Sequence, residues 1–241
     1  MPPSAQMVSN QIAIHADDWS ADQETFVQFR LLYQGRLLAS SKDKTRPEHK
    51  HEIRTLLSPQ LKKIWEHDPN LAKYRRVLGH RWINMHPEIK SDDLPKDNEG
   101  MIGVLNDFGI LYLAHNWERA KQGFVPLVCS DMGLRCKLDI LFLRPGIPGE
   151  IIRSGDIDNR LKTLFDSLKL PENAQALGNS PVQSDPIFCL LQDDGLVSEL
   201  RVVTDHLLAL PNQTEIRPNE VFLVIEVSLE APPNTQWSFI F

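Results

Sequence analysis

The sequence predicts an α/β domain of the α+β kind, a small mixed β-sheet packed with helices. Three observations predict it. Residues 25–33 and 134–143 alternate apolar and polar side chains, the period of a half-buried strand. Residues 53–65 and 161–168 repeat their apolar side chains at i, i+3 and i+4, the period of a helix packed on one face. The elements then follow the order strand, helices, strand, helix, strand, strand, which suits one mixed sheet.

Residues 1–24 are polar and aperiodic and read as a flexible leader. In the first strand Val27, Phe29, Leu31 and Tyr33 share a side, and Gly35 with the Ser/Lys-rich run 40–44 ends it. Pro47 opens a helix carrying Ile53, Leu56, Leu57, Leu61, Ile64 and Trp65, which Pro59 should kink or restart. Residues 69–90 read as a basic helix and 91–100 as a polar, acidic loop. Residues 101–113 are apolar with no decisive period. In the second strand Leu134, Cys136, Leu138, Ile140 and Phe142 face one way and Arg135, Lys137 and Asp139 the other. The Pro/Gly-rich stretch 145–149 is a turn. A helix follows, with Leu161, Leu164, Phe165 and Leu168 as its buried stripe. Residues 171–186, rich in Asn, Gln, Pro and Ser, form a long connection, and 195–203 and 221–229 read as strands. Residues 232–241 are an apolar tail ending in Trp237, Phe239, Ile240 and Phe241. This divides the chain into the leader, a single domain over 25–231 and the tail.

The 241 residues suffice for a substantial core, and 41% apolar with 24% charged residues is the balance of a soluble globular chain. No apolar run is long enough to span a bilayer. The N-terminus lacks a basic region followed by an apolar one, so no signal peptide is read there. Cys129, Cys136 and Cys189 form no metal or redox spacing and read as reduced core thiols, which points to the cytoplasm. The net charge of −6 is unusual for a nucleic-acid binder, although carboxylates gathered for a cation contribute to it. A local exception is the segment 73–90, where Lys73, Arg75, Arg76, Arg81 and Lys90 oppose Glu88 alone and alternate with Tyr74, His80, Trp82 and His86. Basic residues interleaved with aromatics suit a DNA-binding groove, and the same pattern fits a solvated helix with its aromatics turned inward.

Residues 155–168 carry the chemistry. Asp156 and Asp158 stand at the start of the helix, where free backbone N–H groups and the macrodipole favour negative charge. Extended backbone through Ile157 would send both acids to one side. Lys162 lies about one turn beyond Asp158, and Asp166 another turn on. A second acidic pair, Asp193-Asp194, precedes a strand-like run. Mg²⁺ takes hard oxygen ligands and keeps several waters, so carboxylates meeting from separate elements suit it. A lysine beside such an ion is placed to stabilise charge on a phosphodiester under attack. Singly, each feature also has a plain reading: a helix cap, an i, i+4 surface pair, a turn.

Asp156-Ile-Asp158-Asn159-x-x-Lys162-x-x-x-Asp166-x-Leu168, followed by Asp193-Asp194 ahead of a strand, resembles the RusA-type Holliday junction resolvases. The resemblance covers about 50 residues within 134–229. It implies a RusA-like fold, here with an enlarged N-terminal region and with 171–186 as an insertion after the motif helix. It implies a Mg²⁺-dependent endodeoxyribonuclease, with Mn²⁺ as substitute, that nicks branched DNA as a homodimer. Asp156, Asp158 and one or both of Asp193 and Asp194 would hold metal. Lys162 would assist catalysis, and Asn159 and Asp166 would support the site, Asn159 by holding Asp158 or capping the helix and Asp166 by holding Lys162. Lys73, Arg75, Arg76 and Arg81 would contact DNA. The alternative is a module that keeps the fold and binds DNA or a partner without cutting.

Overall fold

A computed structural model describes residues 25–39, 46–145, 156–209, 217 and 219–231. The leader 1–24, the turn 146–149 and the tail 232–241 lie outside the described residues. The order is β1 (Thr25–Arg36), α1 (Arg46–His67), α2 (Pro69–Met85), α3 (Asn98–Asn116), β2 (Phe124–Val128), β3 (Arg135–Arg144), α4 (Asp156–Leu168), β4 (Ile187–Leu191), β5 (Val197–His206) and β6 (Glu220–Glu230).

The mixed sheet is present with the order β1-β6-β3-β5. β1 and β3 run antiparallel to β6, while β3 and β5 are parallel. The parallel pair needs a crossover, and α4 lies within it. The inward positions are Leu31 and Tyr33, Leu138, Ile140 and Phe142, and Leu223, Ile225 and Val227, all 4% exposed or less. They share one core with Ile53, Leu57, Leu61 and Trp65 of α1 and with Leu164 and Leu168 of α4.

Two strands have no counterpart in the sequence reading. β2 and β4 pair in parallel as a separate sheet, and every residue of both is buried. Strands buried on both faces show a continuous apolar run instead of alternation, so period 2 does not reveal them. β4 begins directly after the long connection 171–186, inside which Ala174–Leu177 form a short 3-10 turn.

α1 runs through Pro59 without restarting. Ile53 and Leu57 before the proline and Leu61 and Trp65 after it are 1% exposed or less, so packing holds both halves in line against the local penalty. The ambiguous stretch 101–113 belongs to α3, whose N-cap Asp97 accepts from Gly100 N at 2.8 Å. α2 and α3 pack through small residues. A Cβ on Gly79 would lie 2.1 Å from Leu105 O, and one on Gly109 2.2 Å from Arg75 O. Among the described residues no helix is long and apolar enough to cross a membrane.

Candidate functional site

α4 is seated by both of its ends. Near its start, Arg160 is 8% exposed and donates from Nη1 to Leu37 O at 3.1 Å and from Nη2 to Asn219 Oδ1 at 2.6 Å. Leu37 follows β1, Asn219 precedes β6, and their backbones join through Leu37 N and Asn219 O at 2.8 Å. The first turn of α4 is therefore pinned to the end of the sheet where β3 and β5 finish at Arg144 and His206. Open α/β sheets bind ligands outside the carboxyl ends of parallel strands, so the motif opens at the favoured end. Ile157, Leu164 and Leu168 are buried, Leu161 and Phe165 pack against the core, and Asp158, Asn159 and Lys162 remain exposed. Each buried leucine contributes about 1.5–3 kcal/mol, enough to fix the rotation that keeps Asp158 and Lys162 in solvent.

The backbone is helical from Asp156 onward, so the alternation that an extended Ile157 would have given does not arise. Asn159 consequently lies inside the first turn and is not the cap. Thr163 Oγ1 donates to its carbonyl at 3.2 Å.

The far end of α4 is held by a residue that carries no sequence signal. Arg54 of α1 is 2% exposed and donates from Nη2 to Asp166 O at 2.7 Å and from Nε to Lys169 O at 2.9 Å. It satisfies two carbonyls that the helix terminus leaves open. Burial lowers its pKa to about 10, against the attraction of Cys189 and Asp166. His51, 5% exposed, has its Nδ1 3.4 Å from Arg54 Nη1, and burial followed by the Arg54 charge lowers its pKa.

Asp166 does not hold Lys162. Its carboxylate takes Lys50 Nζ at 2.6 Å and Lys169 Nζ at 3.5 Å. Lys169 Nζ is also 3.5 Å from Asp194 Oδ2 and from Glu172 Oε1. Burial opposes the Lys169 charge, and Asp166, Asp194 and Glu172 together outweigh it, so its pKa is raised. A cleft of about 170 Å³ opens here between Lys50, Arg54, Asp166, Lys169 and Pro171.

Asp193 and Asp194 therefore stand beside the end of α4 and not beside its start, and the expected meeting of the two acidic pairs is not what the structure shows. Leu170 N donates to Leu191 O at 2.9 Å, so β4 runs out next to the terminus of α4 and delivers the pair there. Asp158 and Leu168 are roughly 15 Å apart along the helix at ~1.5 Å per residue. Asp193 and Asp194 are exposed, and Asp193 Oδ1 accepts from Gly195 N at 2.9 Å in a tight turn ahead of β5. Among the described residues no three His, Cys, Asp or Glu side chains converge as a metal site.

The basic stripe of α2 is partly folded inward. Lys73, Arg75, Arg76 and Arg81 are all half-buried. Arg75 borders a cleft of about 390 Å³ with Trp65, Glu66, Asp107 and Ile110, and burial lowers its pKa against the pull of Asp107 and Glu66. Trp82 packs on His86 with ring centroids 4.0 Å apart.

No family model, curated protein or solved structure matches this chain. The resemblance to RusA-type resolvases thus rests on the motif residues in the sequence alone. Lys50, Arg54, Arg160 and Asn219 escape a sequence reading because the partners through which they hold α4 lie 59 or more residues away. Arg160 alone sits inside the motif, where an arginine on an otherwise buried flank is the one available sign.

Proposed function

We propose that the protein is a divalent-metal-dependent endodeoxyribonuclease that nicks branched DNA, with Holliday junctions as substrate, and acts as a cytoplasmic homodimer. The observation that carries this reading is the position of the motif. An exposed Asp158 and an exposed Lys162 share one flank of a helix whose start is pinned outside the carboxyl ends of β3 and β5.

The donor chemistry suits Mg²⁺ or Mn²⁺. Mg²⁺ takes one or two protein carboxylates and fills its remaining positions with water, and Asp156 and Asp158 would be those carboxylates. When bound there, the ion supplies a more acidic water and charge neutralisation at phosphorus. Lys162 brings a cation one turn along the same flank, suited to the negative charge that grows on phosphorus or on the leaving oxygen. Arg160 and the buried leucines hold the helix so that these groups need no reorganisation. Lys73, Arg76 and Arg81 of α2 supply the cationic contacts for the DNA backbone, with Arg75 confined to its cleft.

The test is nicking of a four-way junction in Mg²⁺ and in Mn²⁺, with Asp158→Asn beside the wild type. The expected result is metal-dependent cleavage that the substitution abolishes without altering the melting temperature. Junctions, flaps and duplexes all left uncut would sink the reading. The distance between the two acidic pairs favours one alternative, a binding module that holds DNA or a partner without cutting. A junction gel shift retained in EDTA, with no cleavage on adding metal, would select it.

A further inference from the structure

The two edges of the four-stranded sheet differ. At β1, Leu32 N donates to Gln60 Oε1 at 2.9 Å and Leu32 O accepts from Gln60 Nε2 at 2.8 Å, so a side chain of α1 takes the place of a neighbouring strand. β5 is the other edge. Among the described residues it has β3 on one side and no strand on the other, over the ten residues Val197–His206. Alternate N–H and C=O groups along such an edge point outward and form a template for a further strand.

The side chains of β5 are open on both faces of the sheet. Leu200 and Val202 lie level with Leu138 and Ile140, on the side that packs with α1 and α4, yet Leu200 is 46% exposed against 1% for Leu138. Val203, on the opposite face, is 40% exposed. The charges do not repel an added strand, since Glu199 is 3.8 Å from Lys137 and Arg201 is 3.1 Å from Asp139.

We propose that residues 237–241 of the tail add to this edge as a fifth strand, parallel to β5. Three features of the tail select it as the occupant. Its residues alternate, with Trp237, Phe239 and Phe241 on one side and Ser238 and Ile240 on the other, and 232–241 carries no charge. It also starts at the right end of the sheet. β6 ends at Glu230, level with Arg135, and β5 begins level with Leu229 through Cys136. The tail therefore leaves beside the start of β5 and, on turning back, runs in the direction of β5. Finally, its link is long enough. The lane beyond β5 lies three strand spacings from β6, about 14 Å. Ala231 to Trp237 is six residue steps, about 20 Å when extended, and Pro232-Pro233 favours an extended path. The leader 1–24 joins β1 at the far edge and shows no alternation.

Reach and alternation together set the register. Leu200 is level with Leu138 and Val227, four residues back from Ala231. A straight path from Ala231 to that level of the lane is about 19 Å, within the span of the link. Trp237, Phe239 and Phe241 then fall beside Leu200, Val202 and Thr204 on the packed side of the sheet, and Ile240 falls beside Val203. The opposite phase would set the three rings beside Arg201, Val203 and Asp205.

The proposal is independent of the nicking reading. The test is amide hydrogen exchange of the full chain, dilute and without DNA or metal, read residue by residue in wild type and in Phe239→Asp. Wild type is expected to protect the alternate β5 amides that face away from β3. Phe239→Asp is expected to exchange them at least roughly tenfold faster, with β6 unchanged. β5 amides that exchange alike in the two proteins overturn the proposal. Oxidation of the double variant Val202→Cys with Phe239→Cys, beside Val202→Cys with Ser238→Cys, reads the register without relying on stability. A disulfide within one chain is expected in the first and not in the second. A bond that favours position 238 overturns the assigned side, and a bond formed only between two chains overturns the assignment of the strand to its own chain.

Discussion

Lys169 Nζ lies 3.5 Å from Asp194 Oδ2. That contact ties the second acidic pair to the end of α4, where Asp166 and Glu172 compete for the same ammonium. It separates Asp194 from Asp158 by most of the length of the helix, and it makes the two carboxylates experimentally distinguishable.

In a metal-dependent nicking assay Asp158→Asn is expected to lose at least about a hundredfold of activity, and Lys162→Met a similar amount by removing charge stabilisation. Asp194→Asn is expected to stay within about threefold of wild type. A hundredfold loss in Asp194→Asn would show that the catalytic arrangement brings the two ends of α4 together on substrate.

Arg54 is the buried tie between α1 and α4. Arg54→Met leaves the carbonyls of Asp166 and Lys169 without donors, and a loss of about 2–4 kcal/mol in urea denaturation is expected. Arg54→Lys recovers only part of it, because one ammonium on a flexible stem does not reproduce the planar fork.

Gly79 and Gly109 set the approach of α2 to α3. Alanine at either position forces a backbone carbonyl to move and is expected to cost about 1–3 kcal/mol. Gly103 of α3 has nothing within 4 Å of its missing Cβ. Gly103→Ala should stabilise by about 0.5–1 kcal/mol, through the helix preference of alanine alone. Thermal unfolding of the three variants side by side checks both signs.

His51 gives the stability a pH dependence. Its folded-state pKa is lowered from the ordinary imidazole value of 6.5, so below that pH the unfolded chain binds the proton before the folded one does. Stability is expected to decline as pH falls through the window beneath 6.5, and His51→Gln should remove that part of the slope. Urea midpoints measured between neutral and mildly acidic pH decide it.

The three cysteines are buried and in no disulfide, and burial pushes the thiols of Cys136 and Cys189 up to about 12. Native protein should resist a thiol reagent at mildly alkaline pH, and all three sites should react once it is unfolded.

The sequence by itself determined whatever depends on near neighbours in the chain. The alternation of residues 134–143 is strand β3, the 3.6-residue spacing of 161–168 is the buried side of α4, and the acids at 156 and 158 mark where that helix begins. The same local logic fails for Phe124–Val128 and Ile187–Leu191, because a strand buried on both faces has no polar side to reveal its period. It fails at Pro59, where a local penalty yields to four buried side chains that only the assembled core brings together. What only the tertiary structure decided is which charges meet. The family resemblance implied that Asp166 holds Lys162, whereas the fold gives it Lys50, 116 residues away, and Lys169. The path of β4 likewise decides that Asp194 joins Lys169 and not Asp158. Coulomb partners are chosen by distance in space, and that distance is set by how the buried strands and helices pack.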